Sequence, residues 1–271
     1  MKTALSIAGS DPSGGAGIQA DLKTMTCNGV FAMAAITSLT AQNTTGVSQV
    51  VPMEPEFIQE QIRMVVNDIR PDAIKVGMVP NAKAIHAVSQ SLHELKDVPT
   101  VVDPVMVSTS GSMLMEPEAV EVLKNELIRE ADLITPNIPE AEVLSGMKIT
   151  CRQEMETAAK LLADTYHTAV LIKGGHRVED ANDLLYDENG IRWFEGKRVL
   201  TENTHGTGCT LSSAIASNLA KGYSMADSIR RAKDYITRAL ADGLDLGAGS
   251  GPMNHAFIGL ESFFDGAEET C

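Results

Sequence analysis

Residues 73–104 read AIKVGMVPNAKAIHAVSQSLHELKDVPTVVDP, and the change of period inside this stretch decides the fold. Ala73-Ile74-Lys75-Val76 and Thr100-Val101-Val102 are short, mainly apolar runs of strand length, whereas residues 82–95 place apolar side chains at helical spacing. Strand, helix and strand in that order form a βαβ unit, the building block of a parallel sheet. The same alternation continues outward. Upstream lie strand-like runs at 4–8 and 31–37, a helix at 18–28, and an amphipathic helix at 55–69 with Phe57, Ile58, Ile62, Val65, Val66 and Ile69 on one face. Downstream come a helix at 117–128, a strand at 133–135, a helix at 154–165 and a strand at 169–172. Two further strands, 183–186 and 191–195, flank Asp187-Glu188-Asn189-Gly190, whose Asn-Gly is a hairpin signal. Long helices at 210–220 and 225–242 close the pattern. The expected architecture is a three-layer α/β/α sandwich with a mostly parallel central sheet. It forms one domain over 1–271, with no linker or repeat and a loose acidic tail at 265–271.

The composition narrows the partners. With 22 Lys+Arg against 36 Asp+Glu, the chain of 271 residues carries a net charge of −14, the wrong sign for nucleic acid or an anionic membrane surface. It does not exclude a phosphorylated ligand, because backbone N–H groups at a helix start bind anions without entering the charge count. Cys27, Cys151, Cys209 and Cys271 form no C-x-x-C pair, so neither a disulfide framework nor a zinc site is indicated, and a reducing cytoplasm is expected. Ser10-Asp11-Pro12 breaks the N-terminal apolar run before a signal-peptide core is reached.

In open parallel sheets, ligands bind at the carboxyl ends of the strands. Four such ends carry unusual residues: Gly9-Ser10-Asp11, Asp103-Pro104, Pro136-Asn137-Ile138-Pro139-Glu140 and Lys173-Gly174-Gly175-His176. Gly15-Ala16-Gly17-Ile18-Gln19-Ala20 fits a G-x-G-x-x-A dinucleotide fingerprint, but no Asp or Glu occurs between Asp21 and Glu54 to bind a ribose. The cluster is then either a flexible turn or a loop that lets a substrate approach the backbone. Residues 190–198 resemble a P-loop with the wrong spacing, and Arg198 stands where a hydroxyl should meet magnesium. Thr204-His205-Gly206-Thr207-Gly208-Cys209-Thr210 runs straight into a helical pattern, so it is either a capping turn or an anion site on the helix dipole. A thiol at that first turn, Cys209, is expected to have its pKa lowered from about 8.5 and to serve as a base, unless it is a packing residue. Asn137 and Glu140 also read as an N-cap with its partner three residues on. His86 and His93, seven apart on an amphipathic helix, read as surface residues.

Taken together, Ala8-Gly9-Ser10-Asp11, the run from Gly14 to Thr24, Thr40-Ala41-Gln42-Asn43-Thr44, Lys75-Val76-Gly77-Met78, Val102-Asp103-Pro104-Val105-Met106, Thr135-Pro136-Asn137-Ile138-Pro139-Glu140-Ala141, Lys173-Gly174-Gly175-His176 and His205-Gly206-Thr207-Gly208-Cys209-Thr210 resemble the hydroxymethylpyrimidine/phosphomethylpyrimidine kinases of thiamine biosynthesis. These are members of the ribokinase-like superfamily, and the resemblance covers about residues 1–255. It implies an ATP- and Mg2+-dependent kinase acting on 4-amino-5-hydroxymethyl-2-methylpyrimidine and then on its monophosphate. The implied pyrimidine pocket is Gly9, Asp21, Gln42, Met78 and Val105. The implied catalytic set is the anion hole of Gly206, Thr207 and Gly208, with Cys209 and the phosphate-contacting Lys173. Asp103, Asn137 and Glu140 would hold magnesium largely through water. The Ala-Gln-Asn-Thr run separates the chain from the related vitamin B6 kinases, and relatives suggest a homodimer. One departure is Ser108-Thr109-Ser110-Gly111, with Thr109 where the family usually carries a lysine. The rival readings are a pyridoxal kinase, a non-catalytic pyrimidine-binding protein and, last, a nicotinamide dehydrogenase.

Overall fold

The structure is a computed structural model that describes residues 1–106, 115–174, 181–196 and 198–257. Thr109, the loop at 108–113, Gly175, His176 and the tail at 265–271 lie outside the described residues. In chain order the elements are β1 (Thr3–Ala8), α1 (Gly17–Cys27), β2 (Phe31–Ile36), β3 (Ser38–Asn43), β4 (Gly46–Pro52), α2 (Pro55–Asp68), β5 (Ala73–Val76), α3 (Ala82–His93), β6 (Thr100–Val102), α4 (Pro117–Asn125), β7 (Leu133–Ile134), α5 (Ile138–Ser145), α6 (Arg152–Tyr166), β8 (Ala169–Ile172), β9 (Asp183–Asp187), β10 (Gly190–Phe194), α7 (Thr207–Ala220) and α8 (Met225–Ala241).

The central sheet runs β10-β9-β8-β7-β6-β5-β1-β2. From β2 to β8 every pairing is parallel, and β9 and β10 complete one edge antiparallel. Alternation along each strand divides the core into two layers. Ile74 and Val76, Val102, Ile134, and Val170 and Ile172 pack with α2 to α6, for instance against Ile58, Ile85, Val120 and Leu162. Ala73, Val101, Leu133 and Leu171 pack on the other face with Leu211, Ile215, Ile229 and Tyr235 of α7 and α8. This is the expected three-layer α/β/α sandwich.

Three expectations need correction. The segment after β2 forms a separate two-stranded sheet of β3 and β4, which the periodicity did not show. Its residues are mostly exposed or half-buried, so no core-facing apolar stripe marks it. On α2 only Ile58 and Ile62 are buried; Phe57 is 57% exposed and Ile69 39%, because the helix lies across the sheet on a narrower stripe than its apolar face. The helix expected at 117–128 stops at Asn125 and tightens into a 3-10 turn, Leu127–Glu130, which turns the chain into β7. A short helix, α5, follows Asn137.

Candidate active site

The parallel strands β1, β5, β6, β7 and β8 end on one side of the sheet, and each is followed by polar or glycine residues there. Helix α7 starts beside these ends. Its N-cap, Gly206, has φ 79°. A Cβ there would run into the carbonyl oxygen of Gly15, so this close approach requires glycine. The Thr207 N–H donates to Thr204 O, and Thr210 is the first residue whose N–H closes a turn, onto Gly206 O. Between them, the N–H groups of Gly208 and Cys209 make no backbone hydrogen bond among the described residues. Two free donors at the positive end of a 14-residue helix form an anion cradle.

The charged residues converge on that cradle. A Cβ at Gly208 would lie 3.1 Å from Asp103 Oδ2 and 3.4 Å from Lys173 Nζ. Lys173 donates to Asp103 Oδ1 at 2.7 Å, and the Thr135 hydroxyl donates to the same oxygen at 3.1 Å. Burial works against the Lys173 charge, but Asp103 and Glu140 outweigh it and raise its pKa, so the ammonium persists. Asn137 and Glu140 form a reciprocal capping box at α5. The Glu140 N–H donates to Asn137 Oδ1 and the Asn137 N–H to Glu140 Oε2, both at 2.8 Å. A backbone bridge joins Asn137 to Lys173, which places the box beside the cradle. Burial pushes the Glu140 carboxyl up to about 7, opposed by Lys173 and reinforced by Asp103.

These residues suit a hard cation. Asn137 Oδ1 is already used by its helix cap, but Asp103 Oδ2 makes no hydrogen bond among the described residues, and Glu140 Oε1 accepts only a 3.4 Å bond from the Met106 N–H. Two buried carboxylates with spare lone pairs fit a magnesium ion that keeps most of its waters.

Among the residues of the implied substrate pocket, Gly9 packs flat against its surroundings: a Cβ there would lie 2.7 Å from Ser38 Oγ and 3.0 Å from Met78 Sδ. Gln42 on β3 has only long contacts, 3.4 Å to Thr40 Oγ1 and 3.5 Å to His205 Nε2, which leaves its amide open to a ligand. It borders a recess of about 520 Å³ shared with Pro12, Asn43 and Val47. Val105 lies on the cradle side, with its N–H on Asp103 O. A roomier cavity, about 630 Å³ between α2 and α3 and lined by Glu56, Gln59, Arg63 and His93, is remote from the strand ends.

Two expectations about site residues change. Asp21, expected in the pyrimidine pocket, is not available to a ring nitrogen. It is 0% exposed, and its carboxylate accepts from Ser6 Oγ, Ser213 Oγ and, with both oxygens, Lys75 Nζ. The Cys209 thiol is pushed up rather than down, because burial outweighs the pull of Lys75 and of the Gly17 N–H. The sequence pattern also left Asp11 and His205 without roles. Asp11 Oδ2 meets His205 Nε2 at 2.8 Å and accepts from the Ala16 N–H, while Oδ1 holds Ser13. Burial opposes the Asp11 charge, but these partners hold the carboxyl at about 2. The pair ties the glycine loop to the start of α7.

Against known proteins, the family model for phosphomethylpyrimidine kinase matches residues 11–254. The chain belongs to that family. It is 47% identical over 252 residues to the thiamine biosynthesis bifunctional protein ThiED of Geobacter sulfurreducens, covering 93% of this chain but only about half (51%) of that protein's length. The crystal structure of phosphomethylpyrimidine kinase from Clostridium difficile superposes with a TM-score of 0.81 at 43% identity, covering 88% of this chain and 99% of that one. An ADP complex of Bacillus subtilis pyridoxal kinase gives a TM-score of 0.86 at 37% identity, covering 94% and 98%. The kinase thus shares its ribokinase-like fold with enzymes named for two different substrates, phosphomethylpyrimidine and pyridoxal. No helix among the described residues is long and apolar enough to cross a membrane.

Proposed function

We propose that this kinase transfers the γ-phosphoryl group of ATP to the hydroxymethyl oxygen of 4-amino-5-hydroxymethyl-2-methylpyrimidine, and then a second phosphoryl group to the monophosphate. The observation that carries this reading is the convergence of the α7 cradle, Lys173 and Asp103 within 3.4 Å of the Gly208 side-chain position, next to an open Gln42 amide.

Phosphoryl transfer asks the protein for positioning and charge neutralisation more than for covalent chemistry. The N–H groups of Gly208 and Cys209 face the charge that develops on the transferring group, and Lys173 stands on the ADP side. Cys209 takes the hydroxymethyl proton in its thiolate form, a minority at neutral pH because burial raises the thiol, as the new O–P bond forms and the bond from the γ-phosphorus to the ADP oxygen breaks. Gln42 offers both a donor and an acceptor to the ring nitrogen and amine. Asp103 and Glu140 would hold the water shell of magnesium, which supplies further neutralisation of the polyphosphate when bound. In the second transfer the acceptor is already an anion and needs no base. A thiol at position 209 suits it better than a carboxylate, which would repel it.

Pyridoxal is the second reading, favoured by the likeness to the Bacillus subtilis pyridoxal kinase. ADP release measured side by side on the hydroxymethylpyrimidine, its monophosphate and pyridoxal decides between them; turnover on pyridoxal alone would refute the assignment. The same experiment on Cys209→Ala should show the first transfer impaired more than the second. We further place the enzyme in a reducing cytoplasm, supported by the free thiols of Cys27, Cys151 and Cys209, and as a homodimer. Leu39, Val47, Val50 and Val51 on β3 and β4, each at least 40% exposed, favour a self-association that sedimentation can test.

A further inference from the structure

Strand β5 carries a lysine between apolar neighbours, and all four of its residues are buried. Side chains alternate along a strand, so Lys75 shares with Ala73 the face covered by α7, while Ile74 and Val76 point into the opposite core. The ammonium is 0% exposed and lies 2.9 and 2.8 Å from the two oxygens of Asp21 on α1. Ser6, directly opposite Lys75 in the β1–β5 register, donates to Asp21 Oδ2 at 2.6 Å, and Ser213 of α7 donates to Oδ1 at 2.7 Å. Gly77 leaves the room: a Cβ there would lie 2.5 Å from Lys75 Nζ.

The position of this assembly relative to the site follows from helix geometry. Cys209 precedes Ser213 by four residues, so the thiol and the Ser213 hydroxyl lie on one face of α7, one turn apart. The ion pair that Ser213 touches therefore sits beneath the thiol and the cradle. Four charged groups act on the thiol from the elements around it: Lys75 on β5, Asp21 on α1, Asp103 after β6 and Lys173 after β8. Lys75 has the largest single influence of these and favours the thiolate, while Asp21 and Asp103 oppose it. A buried ion pair is a weak source of stability, since two apolar side chains of the same volume do as well or better. A field directed at the site accounts for its presence.

We propose that Lys75 is a positioning residue for phosphoryl transfer, its ammonium held by Asp21, Ser6 and Ser213 so as to supply positive potential beneath Cys209 and the anion cradle. This rests on the reading in which Cys209 accepts the substrate proton, but the thiol itself reports the field whether or not that reading holds.

The experiment uses the full chain with Cys27, Cys151 and Cys271 changed to Ser, so that iodoacetamide reads Cys209 alone. The rate of alkylation is followed against pH by mass spectrometry. Lys75→Met should move the thiol midpoint up by about one unit, or roughly tenfold lower reactivity on the rising limb. Lys75→Met/Asp21→Asn leaves no unpaired buried charge and keeps the fold testable if the single variant fails to accumulate. It should shift the midpoint in the same direction by less, because Lys75 outweighs Asp21 at the thiol. Lys75→Arg keeps the charge and should titrate close to the parent. In the same variants, kcat for the pyrimidine should fall about tenfold in Lys75→Met with KM little changed, and recover in Lys75→Arg. The proposal is overturned if the double variant titrates with the parent, or if Lys75→Arg shifts as far as Lys75→Met. Full activity in Cys209→Ala would instead refute the base reading while leaving the thiol titration intact.

Discussion

Replacing Lys173 by methionine removes one charge from the cradle while nearly preserving side-chain volume, and it separates two roles the residue plays. Its ammonium is 2.7 Å from a carboxylate whose residue is only 2% exposed, so the variant leaves Asp103 buried without its counter-ion. Breaking such a pair costs about 3–5 kcal/mol of stability. The lower end applies here because the Thr135 hydroxyl continues to donate to the same oxygen. The catalytic loss has a different source. Nζ is 3.4 Å from the side-chain position of Gly208. A phosphoryl oxygen in the cradle therefore sits at about 4 Å from a unit charge, worth roughly 4 kcal/mol at an effective dielectric constant near 20. That corresponds to about a thousandfold in kcat/KM for ATP. Urea melts and initial rates of ADP release on Lys173→Met, Asp103→Asn and the double variant distinguish the two. The double variant should regain most of the stability and none of the activity. A folded Lys173→Met enzyme within about tenfold of the parent, or a double variant that recovers activity along with stability, would refute the assignment of Lys173 to the phosphate.

Gly206→Ala should lose more than about 2 kcal/mol and most of its ATP affinity, since a left-handed backbone penalty of about 1–2 kcal/mol is joined by a clash with Gly15 O. Gly222 has φ 84° and open space around its side-chain position. In urea melts of both variants, Gly222→Ala should therefore show the backbone penalty alone. Gln42→Ala should leave the melting temperature within about 1 °C, because its amide makes only long contacts, yet raise KM for the pyrimidine about tenfold in steady-state assays. Asp11 stays ionised down to about pH 2 in the folded chain against an ordinary 3.8. Its stabilisation, about 2 kcal/mol, is therefore complete above about pH 4 and lost as the pH falls through the folded value. Denaturant midpoints for Asp11→Asn should be lower than the parent's at neutral pH and converge with them in strong acid.

The legible part of the fold was the part whose residues face a core on a fixed period. Strands β5, β6 and β8 begin and end where their apolar runs do, because a buried parallel strand has no polar face to blur its limits. The β3–β4 sheet escaped because neither of its faces is packed into a core, and it carries Gln42, so the element that holds the proposed pyrimidine contact was the one without a periodic signal. Motif spacing pointed to the anion cradle, since Gly206, Gly208 and Cys209 lie within four positions of one another and their geometry is local to a helix start.

Residues that act across the fold were a different matter. Asp21 and Lys75 are 54 positions apart, and Asp11 and His205 are 194 apart. In the sequence, Asp21 is an acidic residue on a helix and Lys75 a charge interrupting a strand. Only the pairing of β1 with β5 and the seating of α7 over both bring Ser6, Lys75, Asp21 and Ser213 together. The order of residues alone was enough to specify the layers and the family and to single out the helix start at Gly206–Cys209, each of which is written in local patterns. It took the packed chain to make Asp21 a buried counter-ion and to raise the Cys209 thiol. Ionisation depends on every charge and every missing water molecule around a group, and those are set by packing between segments that are distant along the chain.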